Sequence, residues 1–473
     1  MEKITPKSKN LSAWYNDVIL KAQLADYGQV RGTMVIRPYG FAIWENIKKE
    51  LNLRIENEGV KNAYFPLLAP YSNFQKEKEH IEGFSPELAI VTHGGGKELA
   101  EKLVIRPTSE AIIYPLYAKW IHSYRDLPLK INQWVNIVRW EKRTYLFLRT
   151  MEFLWQEGHN VFSSEDECQK DTIRMLNVYK KFAEDALALP VFSGPKTEFE
   201  KFAGSKTTYA VEAVMPDGKA LQAGTSHNLS DKFSKAFDIK YQNKEGKEVY
   251  AYQNSWGVST RIMGGAIMAH GDDKGLVLPP SIAPIKVVVV PIKAEEKFIK
   301  YARKVQKVLT DCGISSELDL RDTVTVGFKF NEWELKGVPL RMEIGEKEMR
   351  DSAVTIVPRI SEETSYQKKI AVSSINREVP PMLEKIQSLL YKRAVELKDS
   401  LTFSISSYEE FKDQMKKRKV FARVFWAGST EDEVRIKEKT KCTIRVLENS
   451  KVFGRCFYTG RETNTVAYFA QSY

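Results

Sequence analysis

The chain has 473 residues, 43% hydrophobic and 28% charged, with a net charge of +11. That composition excludes an intrinsically disordered chain, and the length implies two or three domains. The most obvious apolar run, Val287 to Val290, ends at Pro291, far short of the roughly 18 residues a membrane span needs.

The start, Met1 to Asn10, is polar and no apolar signal region follows it, so a cytoplasmic protein with no membrane partner is expected. Cys168, Cys312, Cys442 and Cys456 form no CxxC pair, which fits a reducing compartment. The positive charge suits either a solvated basic surface or a polyanionic partner.

Ser12 to Ala25 reads as a helix carrying Trp14, Val18 and Leu20. A second helix, Gly40 to Glu58, places Phe41, Trp44, Ile47, Leu51 and Ile55 on one stripe. Ala63 to Leu68 reads as a strand bent at Pro66. Val135 to Trp140 and Leu146 to Leu154 are strand-like apolar runs. These predict an α+β domain on a mostly antiparallel sheet over residues 1–276.

The prolines at 279, 280 and 284 mark a linker. Beyond it, Lys286–Ile292, Ile314–Leu320, Leu340–Ile344 and Ala353–Val357 read as strands, and Glu295–Leu309 and Val324–Leu335 as helices. That alternation predicts an α/β domain with a largely parallel sheet over residues 277–378. A long helix, Val379 to Lys398, opens a small α+β domain over residues 379–473.

Four clusters carry chemistry. Arg139 and Glu141 alternate around Trp140, which would put both on one strand face. A strand returning after a Lys142-to-Tyr145 turn would bring Arg149, Phe153, Trp155, Glu157 and His159 beside them, all odd-numbered and so on one face. Such a face is too polar for a core and too aromatic for a solvated surface, which suits a ligand floor. Guanidinium forks suit phosphate oxygens. The run Arg106-Pro107-Thr108-Ser109-Glu110 reads, taken alone, as a helix N-cap before Ala111 to His122. Leu221 to His227 mixes small and polar residues, and Trp256 to Gly265 ends a strand in a glycine-bearing turn around Arg261.

Together these clusters resemble the three signature motifs of class II aminoacyl-tRNA synthetases. Pro66 looks like the first, Arg139 and Glu141 with Phe153 the second, and Arg261 the third. The strings Arg106-Pro107-Thr108-Ser109-Glu110, Phe153-Leu154-Trp155-Gln156-Glu157-Gly158-His159, Gly224-Thr225-Ser226-His227-Asn228-Leu229 and Leu276-Val277-Leu278-Pro279-Pro280 narrow the resemblance to prolyl-tRNA synthetases of the archaeal/eukaryotic type. The resemblance spans essentially the whole chain.

It implies ATP-dependent activation of L-proline and transfer to tRNA(Pro) by a homodimer, with Mg²⁺ on the phosphates. It implies that Arg139 holds the α-phosphate and the proline carboxylate, and that Arg149 and Arg261 meet the outer phosphates. Phe153 and Arg261 would sandwich adenine, Glu141 would accept from its amino group, and Gln222, Thr225 and Thr260 would make further ATP contacts. Thr108 and Glu110 would receive the proline ammonium. Trp155, His159 and Phe202 would wall the ring, with Glu157, His227 and Ser259 beside them. In the second domain Lys329, Glu334, Lys336 and Arg341 are anticodon candidates, with Phe330 and Trp333 as possible stacking rings. No DNA partner is implied.

Two departures stand out. No stretch between Arg139 and Arg261 is long enough for an inserted editing domain. Many relatives carry a C-terminal four-cysteine zinc site, whereas here Cys456 alone sits where a ligand is expected, Cys442 is offset and Thr459 replaces a partner. A structural zinc needs about four ligands, so no bound zinc is expected. The rival readings are a threonyl- or seryl-type synthetase, a catalytically inactive paralogue, and a general nucleic-acid binder. The first lacks the Trp-Gln-Glu-Gly-His string, the second would have lost Arg139, Arg261 or Glu110, and the third rests on charge alone.

Overall fold

The computed structural model describes residues 4–80, 88–141, 144–363 and 366–473. Two amphipathic helices open the chain. In α1 (Leu11–Lys21) the Asn10 side chain accepts from the Ala13 N–H, and Trp14, Tyr15, Val18 and Ile19 are buried. α2 (Pro38–Asn57) begins on a proline, where no helical N–H is needed, and buries Ile43, Trp44, Ile47, Leu51 and Ile55, whereas Phe41, expected on that stripe, is exposed.

The first domain is built on β1 (Lys61–Asn62), β2 (Leu129–Val138), β3 (Glu152–Phe162), β4 (Val191–Pro195), β5 (Thr207–Val214), β6 (Ala220–Ser230) and β7 (Tyr252–Ser259), with helices α3 (Glu110–Trp120), α4 (Glu165–Asp185) and α5 (Arg261–His270). The seven strands lie in the order β1-β2-β3-β7-β6-β5-β4. Only β1–β2 is parallel; the other pairs are antiparallel, as expected. α4 covers one face, its Met175, Tyr179 and Phe182 joining Trp14, Trp44 and Trp256 in the main core.

Two expected strands differ. Ala63 to Leu68 is not a strand: β1 stops at Asn62 and pairing resumes at Leu68–Pro70 in a separate three-stranded sheet. Side chains replace the ladder there. Phe65 N–H donates to Gln133 Oε1, and the Phe65 and Pro66 carbonyls accept from the buried Arg106 guanidinium, so the backbone stays satisfied. Leu146 to Leu154 is not one strand either. Phe147 takes a φ of 61° in a turn closed by backbone bonds between Tyr145 and Arg149, and β3 begins only at Glu152. Leu146, Phe147 and Leu148 are apolar because they plug the main core, not because they alternate. Lys142, where the return turn was expected to begin, lies outside the described residues.

The second domain holds β8 (Val287–Pro291), α6 (Glu296–Asp311), β9 (Ser316–Leu318), α7 (Val326–Leu335), β10 (Leu340–Ile344), β11 (Ala353–Pro358) and β12 (Lys368–Ala371). Strand order is β9-β8-β10-β11-β12. The expected largely parallel sheet is in fact mixed. β8 pairs parallel with β9 and β10, but β10–β11 and β11–β12 are antiparallel. Only the short helix Glu346–Arg350 joins β10 to β11, too little chain for a parallel crossover.

α8 (Ile375–Ser400) leads into a four-stranded sheet of β13 (Thr402–Ser404), β14 (Phe421–Phe425), β15 (Thr443–Arg455) and β16 (Glu462–Ala470), ordered β13-β14-β16-β15. Cys442 and Cys456 are buried here beside Trp426, Phe457 and Phe469. Cys456 Sγ accepts from the Thr459 N–H at 3.4 Å. These donors do not fit a zinc ion, and among the described residues no three His, Cys, Asp or Glu side chains converge on a metal position. Nor, among them, is any helix long and apolar enough to cross a membrane.

Candidate active site

The face of the central sheet opposite α4 holds a cavity of about 300 Å³. Period-two alternation builds its floor. The odd residues Phe153, Trp155, Glu157 and His159 of β3 line the cavity. The even residue Gln156 faces the other way, where it meets the Tyr179 hydroxyl at 2.7 Å. Gly158, on that same side, makes room for Trp256: a Cβ there would stand 2.1 Å from the indole. Gly158→Ala is therefore expected to cost about 1–3 kcal/mol by overpacking and to shift the floor. A lowered urea midpoint with unchanged slope would show it.

Two cations face the cavity from opposite elements. Arg139, just past β2, donates from Nε to the Pro107 carbonyl at 3.0 Å, and its guanidinium stands 5.7 Å and 5.2 Å from the Phe153 and Trp155 ring centres. Arg261, at the start of α5, donates from Nε to the Leu148 carbonyl at 3.0 Å, tying that helix to the Tyr145–Arg149 turn. Arg139 and Glu141 do not share a strand face, because β2 ends at Val138. Glu141 instead pairs with Arg149 at 2.8 Å, partly in solvent, and both lie outside the cavity lining.

The anionic end is a buried network. Thr108 Oγ1 donates to Glu110 Oε2 and Ser109 Oγ to Glu157 Oε1. Gln133 Nε2 donates to Glu157 Oε1 at 2.6 Å, and His159 Nε2 stands 3.1 Å from Glu157 Oε2. The expected cap is thus not made: Ser109 occupies the N-cap position of α3, but its hydroxyl serves Glu157 rather than the helix. Burial pushes the Glu157 carboxyl up, but the His159 hydrogen bond and charge, with Ser109 and Gln133, outweigh it and hold it below its ordinary value. Burial lowers the His159 imidazole, but Glu157 reverses this and leaves it above its ordinary value.

Phe202 and His227 form a side wall with ring centres 4.8 Å apart. Thr208 Oγ1 links them, accepting from the Phe202 N–H at 2.9 Å and meeting His227 Nδ1 at 3.0 Å. Gln222, Thr225 and Ser259 also line the cavity. Thr260 is fully buried behind it. Lys196, Glu200, Lys201 and Thr208 line it as well, none of them expected from the sequence. Their alternating charges look like a solvated loop, and only their closeness in sequence to Phe202 signals otherwise.

Histidine burial sets an acid dependence. His227 is lowered to about 3, first by burial and then by the Lys196 and His159 charges. His270, whose ring meets the Leu187 carbonyl at 2.7 Å, is lowered to about 4, chiefly by burial. Both are depressed on folding, so their contribution is complete above the ordinary value of 6.5 and is lost as pH falls through the folded values. His159 has the opposite sign: its contribution is present below 6.5 and lost as pH rises through its raised folded value. Folding stability is expected to fall from pH 6.5 toward 4. Each depressed histidine gives a slope of up to about 1.4 kcal/mol per pH unit. Urea titrations at several pH values check this, and His270→Gln should flatten the slope.

In the second domain Arg341 stacks on Phe330 at 4.0 Å and pairs with Glu343 at 2.8 Å. Phe330, Glu334 and Arg341 line a groove of about 460 Å³. Lys336 pairs with Glu332 at 2.9 Å. Lys329 is corrected as an anticodon candidate: it is buried, with Nζ donating to the Asp319 carbonyl at 3.3 Å. Trp333 is buried too, its indole N–H donating to Asp319 Oδ2 at 2.8 Å.

Comparison with known proteins accounts for all three parts. The family "tRNA synthetase class II core domain (G, H, P, S and T)" matches residues 91–270, "Anticodon binding domain" matches 286–380, and "Prolyl-tRNA synthetase, C-terminal" matches 408–473. A proline–tRNA ligase from Roseiflexus sp. (strain RS-1) is 49% identical over 100% of this chain and 99% of its own length. The chloroplastic/mitochondrial proline–tRNA ligase of Arabidopsis thaliana is 49% identical over 99% of this chain and 88% of its own. A Cryptosporidium parvum prolyl-tRNA synthetase solved with halofuginone and AMPPNP superposes with a TM-score of 0.93 at 38% identity, covering 100% of this chain and 99% of that one. The same enzyme with L-proline and AMP gives 0.92 at 36%, covering 100% and 97%. The chain belongs to the prolyl-tRNA synthetase family of class II aminoacyl-tRNA synthetases.

Proposed function

We propose that this cavity performs both steps of proline attachment to tRNA(Pro). A proline carboxylate oxygen attacks the ATP α-phosphorus and pyrophosphate leaves. The 3′-terminal ribose hydroxyl of the tRNA then attacks the activated carbonyl and AMP leaves. Neither step needs a side-chain nucleophile, so catalysis comes from positioning and charge neutralisation. One observation carries the reading: a single cavity is lined by the Glu110 carboxylate together with the Arg139 and Arg261 guanidiniums.

Glu110, with Thr108, receives the secondary ammonium. Trp155, His159 and Phe202 wall the pyrrolidine, held by Glu157 and His227, with Ser259 beside them. Arg139 bridges the α-phosphate and carboxylate, and Arg261 with Phe153 sandwiches the adenine. Gln222 and Thr225 add ATP contacts, with Thr260 as backing. Glu141 and Arg149 reach ATP by exchanging their mutual ion pair for the adenine amino group and outer phosphates. Mg²⁺ accompanying the ATP would offset phosphate charge here.

Glu334, Lys336 and Arg341 meet the anticodon, and the functional units are 1–276, 277–378 and 379–473. A homodimer forms through exposed Tyr64, Leu68, Ile90 and Trp120, in the cytoplasm, where ATP and tRNA are present. Light scattering of the purified chain at monomer mass would remove the dimer.

Proline-dependent ATP–pyrophosphate exchange tests the reading. Exchange with another amino acid but not proline would overturn the specificity, and exchange with none would overturn the activity. The described residues between Arg139 and Arg261 are largely taken up by β3 to β7, α4, a short helix and a two-stranded hairpin, which is compatible with the absence of an editing insert. Losing methylenes costs an amino-acid site only about 1–3 kcal/mol of discrimination. Slow alanine charging of tRNA(Pro) that the enzyme does not correct is therefore expected. Release of alanine from Ala-tRNA(Pro) faster than spontaneous hydrolysis would contradict it.

A further inference from the structure

The C-terminal sheet packs directly on the edge of the catalytic sheet. A Cβ on Gly194 of β4 would stand 2.2 Å from the Leu447 carbonyl oxygen of β15. Beneath this contact lies a buried charge cluster. Arg445 of β15 donates from Nη2 to Glu212 Oε1 of β5 at 2.8 Å, and from Nη1 to Thr443 Oγ1 at 2.9 Å and Glu200 Oε2 at 3.5 Å. The Lys196 ammonium stands 3.5 Å from the same Glu212 oxygen and 3.9 Å from Glu200. The Arg445, Glu212 and Lys196 side chains are 6%, 0% and 3% exposed.

Only part of this cluster reaches the cavity. Lys196 and Glu200 line it, whereas Arg445 and Glu212 stand behind. Arg445 and Lys196 balance Glu212 and the partly exposed Glu200, while burial pushes the neighbouring Glu433 carboxyl up, toward its neutral form. One Glu212 oxygen serves both cations, and its other oxygen has no partner. With Arg445 gone, Lys196 would be the one buried cation left beside the fully buried Glu212, while Glu200, 17% exposed, keeps Lys437 at 4.0 Å. The least costly repair is for its ammonium to close the remaining gap to Glu212, away from the cavity wall. That wall is the Phe202–His227 pair, and the Lys196 charge is among the causes that keep His227 neutral.

We propose that Arg445 is a positioning residue for proline activation: through Glu212 it holds the Lys196 ammonium at the cavity wall, making the C-terminal domain part of the amino-acid site. The inference rests on the Phe202–His227 wall being the proline side.

Exchange assays on the full chain test it. Arg445→Met should raise the proline KM by about tenfold, with the ATP KM held within about twofold. Adding Glu212→Gln removes one charge of each sign and restores neutrality, so the double variant should recover most of the loss. Arg445→Lys should be intermediate. If Arg445 acts only by packing, the double variant will be no better than Arg445→Met, and the proposal fails. If Arg445→Met does not fold, the double variant is compared with Glu212→Gln alone, which leaves an excess cation. A proline KM in the double that is not lower than in Glu212→Gln would likewise overturn it. Wild-type enzyme without proline-dependent exchange would instead sink the proline reading itself.

Discussion

Arg139→Ala is expected to lower kcat/KM for proline-dependent ATP–pyrophosphate exchange by about 10³-fold, or ~4 kcal/mol of transition-state stabilisation. Negative charge builds on the α-phosphate as the carboxylate attacks, and in the proposed reaction the guanidinium beside Phe153 and Trp155 meets it. Its Nε–Pro107 bond aims the side chain without lending the fold much support, so urea stability should change by less than about 1.5 kcal/mol. Arg139→Lys keeps the charge but loses the planar fork and should recover only part of the rate. An exchange rate within tenfold of wild type would place the phosphate clamp elsewhere.

Glu157→Ala should have the largest effect on folding. The carboxylate accepts from Ser109, Gln133 and His159, all three buried. Removing it strands those donors and leaves His159 without its counter-ion. Breaking a buried pair this way costs about 3–5 kcal/mol. Because the Glu157 carboxyl is held below its ordinary value, its contribution is present above 4.5 and is lost as pH falls through the folded value. Urea denaturation at pH 7 reads the loss, which Glu157→Gln should reduce by keeping an acceptor in place. A loss under about 1 kcal/mol would show that the network relaxes around water.

The floor of the site was legible because strand alternation is a local property. Phe153, Trp155, Glu157 and His159 follow a strict period of two, and β3 is regular across them. Arg149 and Glu141 were misplaced by extending that rule beyond the strand, across a turn whose apolar residues serve the core. Ser109 read as a cap because its sequence neighbours suit one. Its true partner, Glu157, is distant in sequence and close only after β3 lies alongside α3. Lys329 read as a surface contact because lysine is seldom buried, and Asp319 is what draws it inward.

The sequence by itself determined the antiparallel central sheet, the inward Trp14, Val18, Trp44, Ile47, Leu51 and Ile55 of α1 and α2, and most residues of the cavity, because these depend on periodicity and on recognisable strings. Tertiary structure alone decided which charges meet. It turned Ser109 to Glu157, paired Glu141 with Arg149, and brought Arg445 against Glu212 and Lys196 from another domain. Hydrogen bonds and ion pairs act over a few ångströms, and no local pattern reports which distant segments the core will bring that close.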